Sequence, residues 1–167
     1  MKYTLPLATA LVCLLASPAS ARSTRPVHDP QGSVHLGLTL GGSFSSNRSA
    51  VAVGAQVGYA FIDGLVPGVR GLGFFGDFSG GEVAGFTVYT PPVSWPVVPY
   101  VVAEVGGRWE SIDGADFSGV LAGGGGGLHL GAPGSRFSTR AGVVYNRWFT
   151  SGGVDIIRPQ VLLTFSF

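Results

Sequence analysis

From Val51 to Phe61 a side chain with an apolar body recurs at every second position. Val51, Val53, Ala55, Val57, Tyr59 and Phe61 are separated by Ala52, Gly54, Gln56, Gly58 and Ala60. A period of two is the repeat of a β-strand with two unlike faces. The same period runs through Val34 to Gly41, where Val34, Leu36, Leu38 and Leu40 share a face. It returns at Arg158 to Phe167, where Pro159, Val161, Leu163, Phe165 and Phe167 alternate with Arg158, Gln160, Leu162, Thr164 and Ser166. Charged residues are only 11% of the chain, against about 25% in ordinary soluble domains. Such a chain cannot clothe a hydrated exterior with charge. Beyond the first 21 residues it also lacks an apolar run of about 18 residues, the minimum for a membrane helix. Strands can carry an apolar exterior through lipid only as a closed barrel, which leaves no backbone edge unbonded.

The first residues read as a secretory signal peptide, 1–21. Met1-Lys2 is a positive start, Leu5 to Ala16 an apolar run, and Ala19-Ser20-Ala21 a small-residue cleavage site. The only Cys, Cys13, and the only Lys, Lys2, lie in this segment, so no disulfide or thiol chemistry is expected of the mature chain. Nine Arg then face nine Asp and Glu. That balance excludes the basic face a nucleic-acid partner needs. Residues 22–32 are polar with two Pro and read as a flexible, disordered leader. The barrel domain is expected over 33–167.

Eight strand-like segments follow, separated by turn signals: Val34–Gly41, Ala50–Phe61, Leu65–Phe75, Glu82–Thr90, Val97–Trp109, Gly119–Leu130, Arg136–Trp148 and Val154–Phe167. The third and fourth have ambiguous facing. Val69 and Phe75 suggest one register and Leu72 and Phe74 the other, so a bulge near Gly71 or Gly73 is expected. One set of connections joins the segments at the end that holds the termini, and includes Ile62-Asp63-Gly64 and Gly131-Ala132-Pro133-Gly134. The other set, Gly42–Ser49, Gly76–Gly81, Glu110–Ser118 and Thr150–Gly153, lies at the far end. Aromatic residues fall into two girdles. Tyr59, Phe61, Tyr89, Trp95, Phe137, Phe165 and Phe167 mark the end with the termini; Phe74, Phe75, Trp109, Tyr145 and Trp148 mark the other.

These features resemble the small eight-stranded outer-membrane barrels of Gram-negative bacteria, the OmpA/OmpX-like group. The resemblance implies an all-β fold, an eight-stranded antiparallel up-and-down transmembrane β-barrel, in the cell outer membrane. It further implies outer-membrane lipids and lipopolysaccharide as surroundings, a monomeric state, and recognition of the terminal strand, with Phe165 and Phe167, by the outer-membrane assembly machinery. The longer relatives' peptidoglycan-binding role is not implied. The family also includes lipid A deacylases and palmitoyl transferases.

Strand parity gathers the candidate site residues. Gln56, Arg70, Tyr100, Glu104, Arg108, Arg140 and Arg158 are expected in the lumen, with Glu104 as a carboxylate hub for Arg140, Arg158 and Arg70. A buried charge must be paired or hydrated. Inward arginines are expected to outnumber carboxylates. Five consecutive glycines, Gly123 to Gly127, are expected to make room for Arg and aromatic side chains from neighbouring strands and to permit sharp curvature. His28, His35 and His129 read as scattered. Ser33 lies two residues before His35, but no partner carboxylate is evident, so no catalytic residues, cofactor or metal are expected. Arg48 and Arg147 at the outer rim are candidates to meet lipopolysaccharide phosphates. The reading is a non-catalytic integral outer-membrane protein with a side-chain-filled polar lumen and a structural, envelope-integrity or surface-interaction role. The alternatives are a narrow channel and a lipid A-modifying enzyme.

Overall fold

In the computed structural model the described residues are 27–150 and 152–167. The expected signal peptide and residues 22–26 lie outside them. Eight strands, β1 (Val34–Ser45), β2 (Arg48–Tyr59), β3 (Leu65–Gly76), β4 (Ser79–Tyr89), β5 (Val97–Ile112), β6 (Ala115–Leu130), β7 (Phe137–Phe149) and β8 (Val154–Ser166), pair in sequence order. Every pairing is antiparallel, and β8 returns to β1 to close a barrel. The closing ladder lapses at Gly42 and Ser43, which lie opposite Pro159 and Arg158. A proline has no N–H to give to a ladder.

The alternation has its physical cause in the two surroundings of each strand. Leu38 is 66% exposed and Leu163 58%, while their neighbours Thr39 and Thr164 are buried. The outside is therefore apolar and the inside carries the polar groups, the reverse of a water-soluble barrel. The far-end hairpins are tighter than expected. β1–β2, β3–β4 and β5–β6 turn over two residues each, because the strands continue into segments read as loops. Asp113 (φ 52°) and Gly114 (φ 82°) both sit in the left-handed region, the conformation of a two-residue hairpin turn.

Three expectations are corrected. β3 has no bulge: its register to β2 and β4 runs without interruption. Arg70, Leu72 and Phe74 all point inward, because the far half of the lumen is filled by apolar side chains. Ala50, Ala52, Leu72, Phe74, Phe78 and Ile112 cluster there, beside Leu121, Trp148 and Ile156. An apolar lumen erases the contrast by which the two faces are read. For the same reason Phe74 and Trp148 are buried and do not belong to the outer girdle, which Phe44, Phe117 and Phe149 join instead. Finally, residues 27–32 of the leader are not loose: Val27, His28 and Asp29 are buried in the mouth of the barrel.

Gly123 shows what the glycine run does. A Cβ there would lie 2.1 Å from the Tyr145 carbonyl oxygen and 2.2 Å from Asn146 Oδ1. Its absence lets Asn146 of the neighbouring strand reach into the lumen, where the sequence suggests an arginine or aromatic ring.

Candidate functional site

The lumen is the site, and strand parity delivers its side chains. Arg70, Tyr100, Glu104, Arg108, Arg140 and Arg158 are all buried inside, and Gln56 is partly buried on the lumen face. They form three tiers.

The middle tier is built on two carboxylates. Glu104 accepts hydrogen bonds from Arg70 and Arg158 and from Asn146 Nδ2 at 2.6 Å. Glu82, inward on β4, accepts from Arg158 Nη1 at 2.7 and 2.8 Å and, more weakly, from Arg70 Nη2 at 3.5 Å. Arg70 and Arg108 each approach Glu82 at 3.5 Å. Taking such charges out of water costs several kcal/mol per ion; the shared geometry offsets that cost only while every member is present.

Above it, towards the far end, Arg108 donates from Nε to Glu110 at 2.6 Å and from Nη2 to Ser43 Oγ at 3.0 Å. Its guanidinium lies 4.1 Å from the Phe74 ring centroid and 5.3 Å from that of Phe78. A planar cation loses little when it leaves water for an aromatic face. Glu110 belongs to this tier because β5 continues past Trp109.

The lowest tier fills the mouth beside the termini. Here Arg140 donates to Asp29 Oδ1 at 2.6 Å and is not a partner of Glu104. The reason is position: Arg140 sits opposite His129 near the mouth, whereas Asn146 and Arg158 lie further along their strands. Burial would raise the Asp29 carboxyl, but the Arg140 guanidinium beside it outweighs burial and holds the group below its ordinary 3.8. Ser33 Oγ donates to the Pro30 carbonyl at 2.6 Å. With its single proton so used, it accepts from His35 Nε2 at 2.7 Å, and His35 Nδ1 accepts from Ser166 Oγ at 2.9 Å. A nucleophilic serine needs the opposite order, with Nε2 taking its proton. The tautomer follows from the network. Among the described residues no three His, Cys, Asp or Glu side chains are placed to hold a metal ion.

Arginines therefore do not outnumber carboxylates. Arg70, Arg108, Arg140 and Arg158 are matched by Asp29, Glu82, Glu104 and Glu110. The space open to water between the Gln56, Tyr100 and Arg140 side chains is about 10 Å³, room for about one water. A far larger concavity of about 750 Å³ is lined by Leu38, Ala55 and Leu163 of the exterior, with Phe137 and Phe165 at its lower edge. Phe137, Phe165 and Phe167 form a ladder of rings at this end, with centroids 4.9 and 5.7 Å apart.

No family model matches the chain, and no curated protein sequence matches it. Solved structures do. The N-terminal β-barrel domain of Pseudomonas aeruginosa OprF is 17% identical, with a TM-score of 0.65 over 81% of this chain and 98% of that domain. Neisserial surface protein A is 18% identical, with a TM-score of 0.65 over 81% of this chain and 96% of its own. In fold, the chain is an eight-stranded outer-membrane-type β-barrel.

Proposed function

We propose that this is a non-catalytic integral outer-membrane protein whose barrel is a closed, side-chain-filled post, with a structural role in the envelope. One observation carries the reading: the lumen's four arginines and four carboxylates compensate each other and leave about 10 Å³ between Gln56, Tyr100 and Arg140. In eight-stranded barrels of this width side chains fill the interior. Conduction of ions would require a continuous void, and the paired charges and small free space in the middle of the lumen speak against one.

The apolar exterior supports placement in lipid, with the end holding the termini towards the periplasm. The two-residue turns at the far end offer little surface to grip a partner, which favours an envelope role over surface contact. The hydrogen-bond order at Ser33 and His35 argues against hydrolysis. Planar-bilayer recording tests the reading: the purified barrel is expected to be silent. Reproducible unitary openings that change on Glu104→Ala would overturn it.

A further inference from the structure

Two of the chain's three histidines meet at one carboxylate, and the third packs on one of them. His35 Nδ1, from β1, lies 3.7 Å from Asp29 Oδ1; His129 Nδ1, from β6, lies 3.7 Å from Asp29 Oδ2. The His28 ring packs on His129 with centroids 4.4 Å apart. Asp29, His35, His129 and Arg140 are each no more than 1% exposed. Residues separated by a hundred positions thus converge on the leader segment, which has no strand ladder to hold it. The segment is tied down by a handful of bonds. Gln31 N–H donates to Asp63 Oδ1, Gly32 N–H to the Ala60 carbonyl and Gly64 N–H to the Asp29 carbonyl, each at 2.8 Å. Gly134 N–H donates to the Val27 carbonyl at 3.0 Å, and His28 Nε2 to the Trp95 carbonyl at 2.5 Å.

We propose that residues 27–32 are a proton-released plug, seated in the mouth while the imidazoles are neutral and displaced when they take up protons. In the seated state Arg140 already bonds Asp29 Oδ1, which leaves only Oδ2 of that carboxylate to answer any added charge. An imidazolium at His35 or His129 would be drawn to Asp29 and repelled by Arg140 at the same time, so little remains to offset its removal from water. Both ring nitrogens of His129, and Arg140 Nε and Nη1, find no hydrogen-bond partner among the described residues. Once the segment leaves, the rings face water and carry charge freely. Proton uptake and release of the segment are therefore linked.

The groups facing this site are few. Among the described residues, Tyr100 on β5 faces Arg140, and Asp63 on the β2–β3 connection faces the segment itself. The end of β4 presents Thr90, the β4–β5 connection the Trp95 carbonyl, and β8 presents Ser166. None of these can neutralise an added positive charge except Asp63, which is bound to Gln31 N–H. The Glu82–Glu104 tier takes no part, so release exposes the segment without opening the lumen.

Amide exchange on the intact barrel in micelles tests this, at about pH 7.5 and about pH 5, a window around the ordinary imidazole value and above the ordinary carboxylate range. The amides of Gln31, Gly32, Gly64 and Gly134 are expected to lose protection, after correction for intrinsic rates, by about tenfold per pH unit for each linked proton. Amides in the middle of the strands keep theirs. The His35 or His129 ring resonances are expected to titrate with the same midpoint, and the His35→Gln/His129→Gln variant to stay protected at the lower pH. Equal protection at both pH values overturns the proposal. So does loss at an unchanged midpoint in the double variant, or loss with no imidazole titrating there. If that variant fails to insert, the comparison of amide and imidazole midpoints in the unmodified protein decides.

Discussion

Arg158 Nη1 bonds both carboxylate oxygens of Glu82, at 2.7 and 2.8 Å, while Nη2 of the same guanidinium goes to Glu104. One arginine on β8 thus ties together two carboxylates on β4 and β5 across the width of the barrel. Glu82→Ala leaves that cation buried and half compensated, and is expected to destabilise the barrel by roughly 3–5 kcal/mol. Arg158→Ala alone should cost a similar amount. The double variant should cost less than the sum, because each removes the other's unpaired charge. Urea unfolding of the reconstituted barrel measures all three; additive losses would mean the two side chains act independently.

Asp29 contributes through its charge to the seating of the N-terminal segment. Its carboxyl is held below 3.8 in the folded chain. A depressed carboxyl contributes stability that is fully present above the unfolded value and lost as pH falls through the folded one. Asp29→Asn should therefore weaken protection of the Gly32 and Gly134 amides at neutral pH, where the segment is seated. The difference from the unmodified protein should shrink as pH falls to about 5, where imidazole protonation releases the segment in both. Equal protection of the two at neutral pH would show that the charge of Asp29 is irrelevant.

Gly123 and Gly71 predict opposite responses to the same substitution. A Cβ on Gly123 meets the Tyr145 carbonyl at 2.1 Å and Asn146 Oδ1 at 2.2 Å, whereas a Cβ on Gly71 meets nothing within 4 Å. Gly123→Ala is expected to cost about 1–3 kcal/mol, the usual cost of forcing atoms into a packed interior, and to displace the Asn146 amide from Glu104. Gly71→Ala should be neutral or slightly stabilising. Unfolding midpoints of the two variants, measured side by side, provide the check.

Phe74 supports Arg108 from below. It is fully buried, packs on Phe78 with ring centroids 5.8 Å apart, and carries the Arg108 guanidinium over its face. Phe74→Ala should cost about 3–5 kcal/mol through the cavity it opens. Phe74→Leu should cost less by volume yet still lose the cation–ring contact, about 0.5–2 kcal/mol. Equal stability of the Leu variant and the unmodified protein would assign the contact no energy.

The barrel was legible because an apolar exterior and polar groups inside print a two-residue period on β1, β2, β5, β7 and β8. That parity alone places Gln56, Glu104, Arg140 and Arg158 on the lumen face. It failed where the lumen itself is apolar: along β3 and β4 both faces are greasy, so the inward position of Glu82 left no trace. Glu110 was hidden by a different cause, a two-residue turn that lets β5 run into residues composed like a loop. Asp29 could not be read at all. Its partner Arg140 is 111 residues away, and no local pattern encodes a pairing between an irregular segment and a barrel wall.

Before the barrel closes, β8 is an edge strand, and an edge strand invites pairing with any neighbouring chain. Pro159 stands on that edge, opposite Gly42, where the final ladder lapses. It withholds a donor from strangers and from β1 alike. The nascent protein therefore gives up a stitch in its last seam, and in exchange its unfinished rim is a poor template for aggregation before the barrel closes.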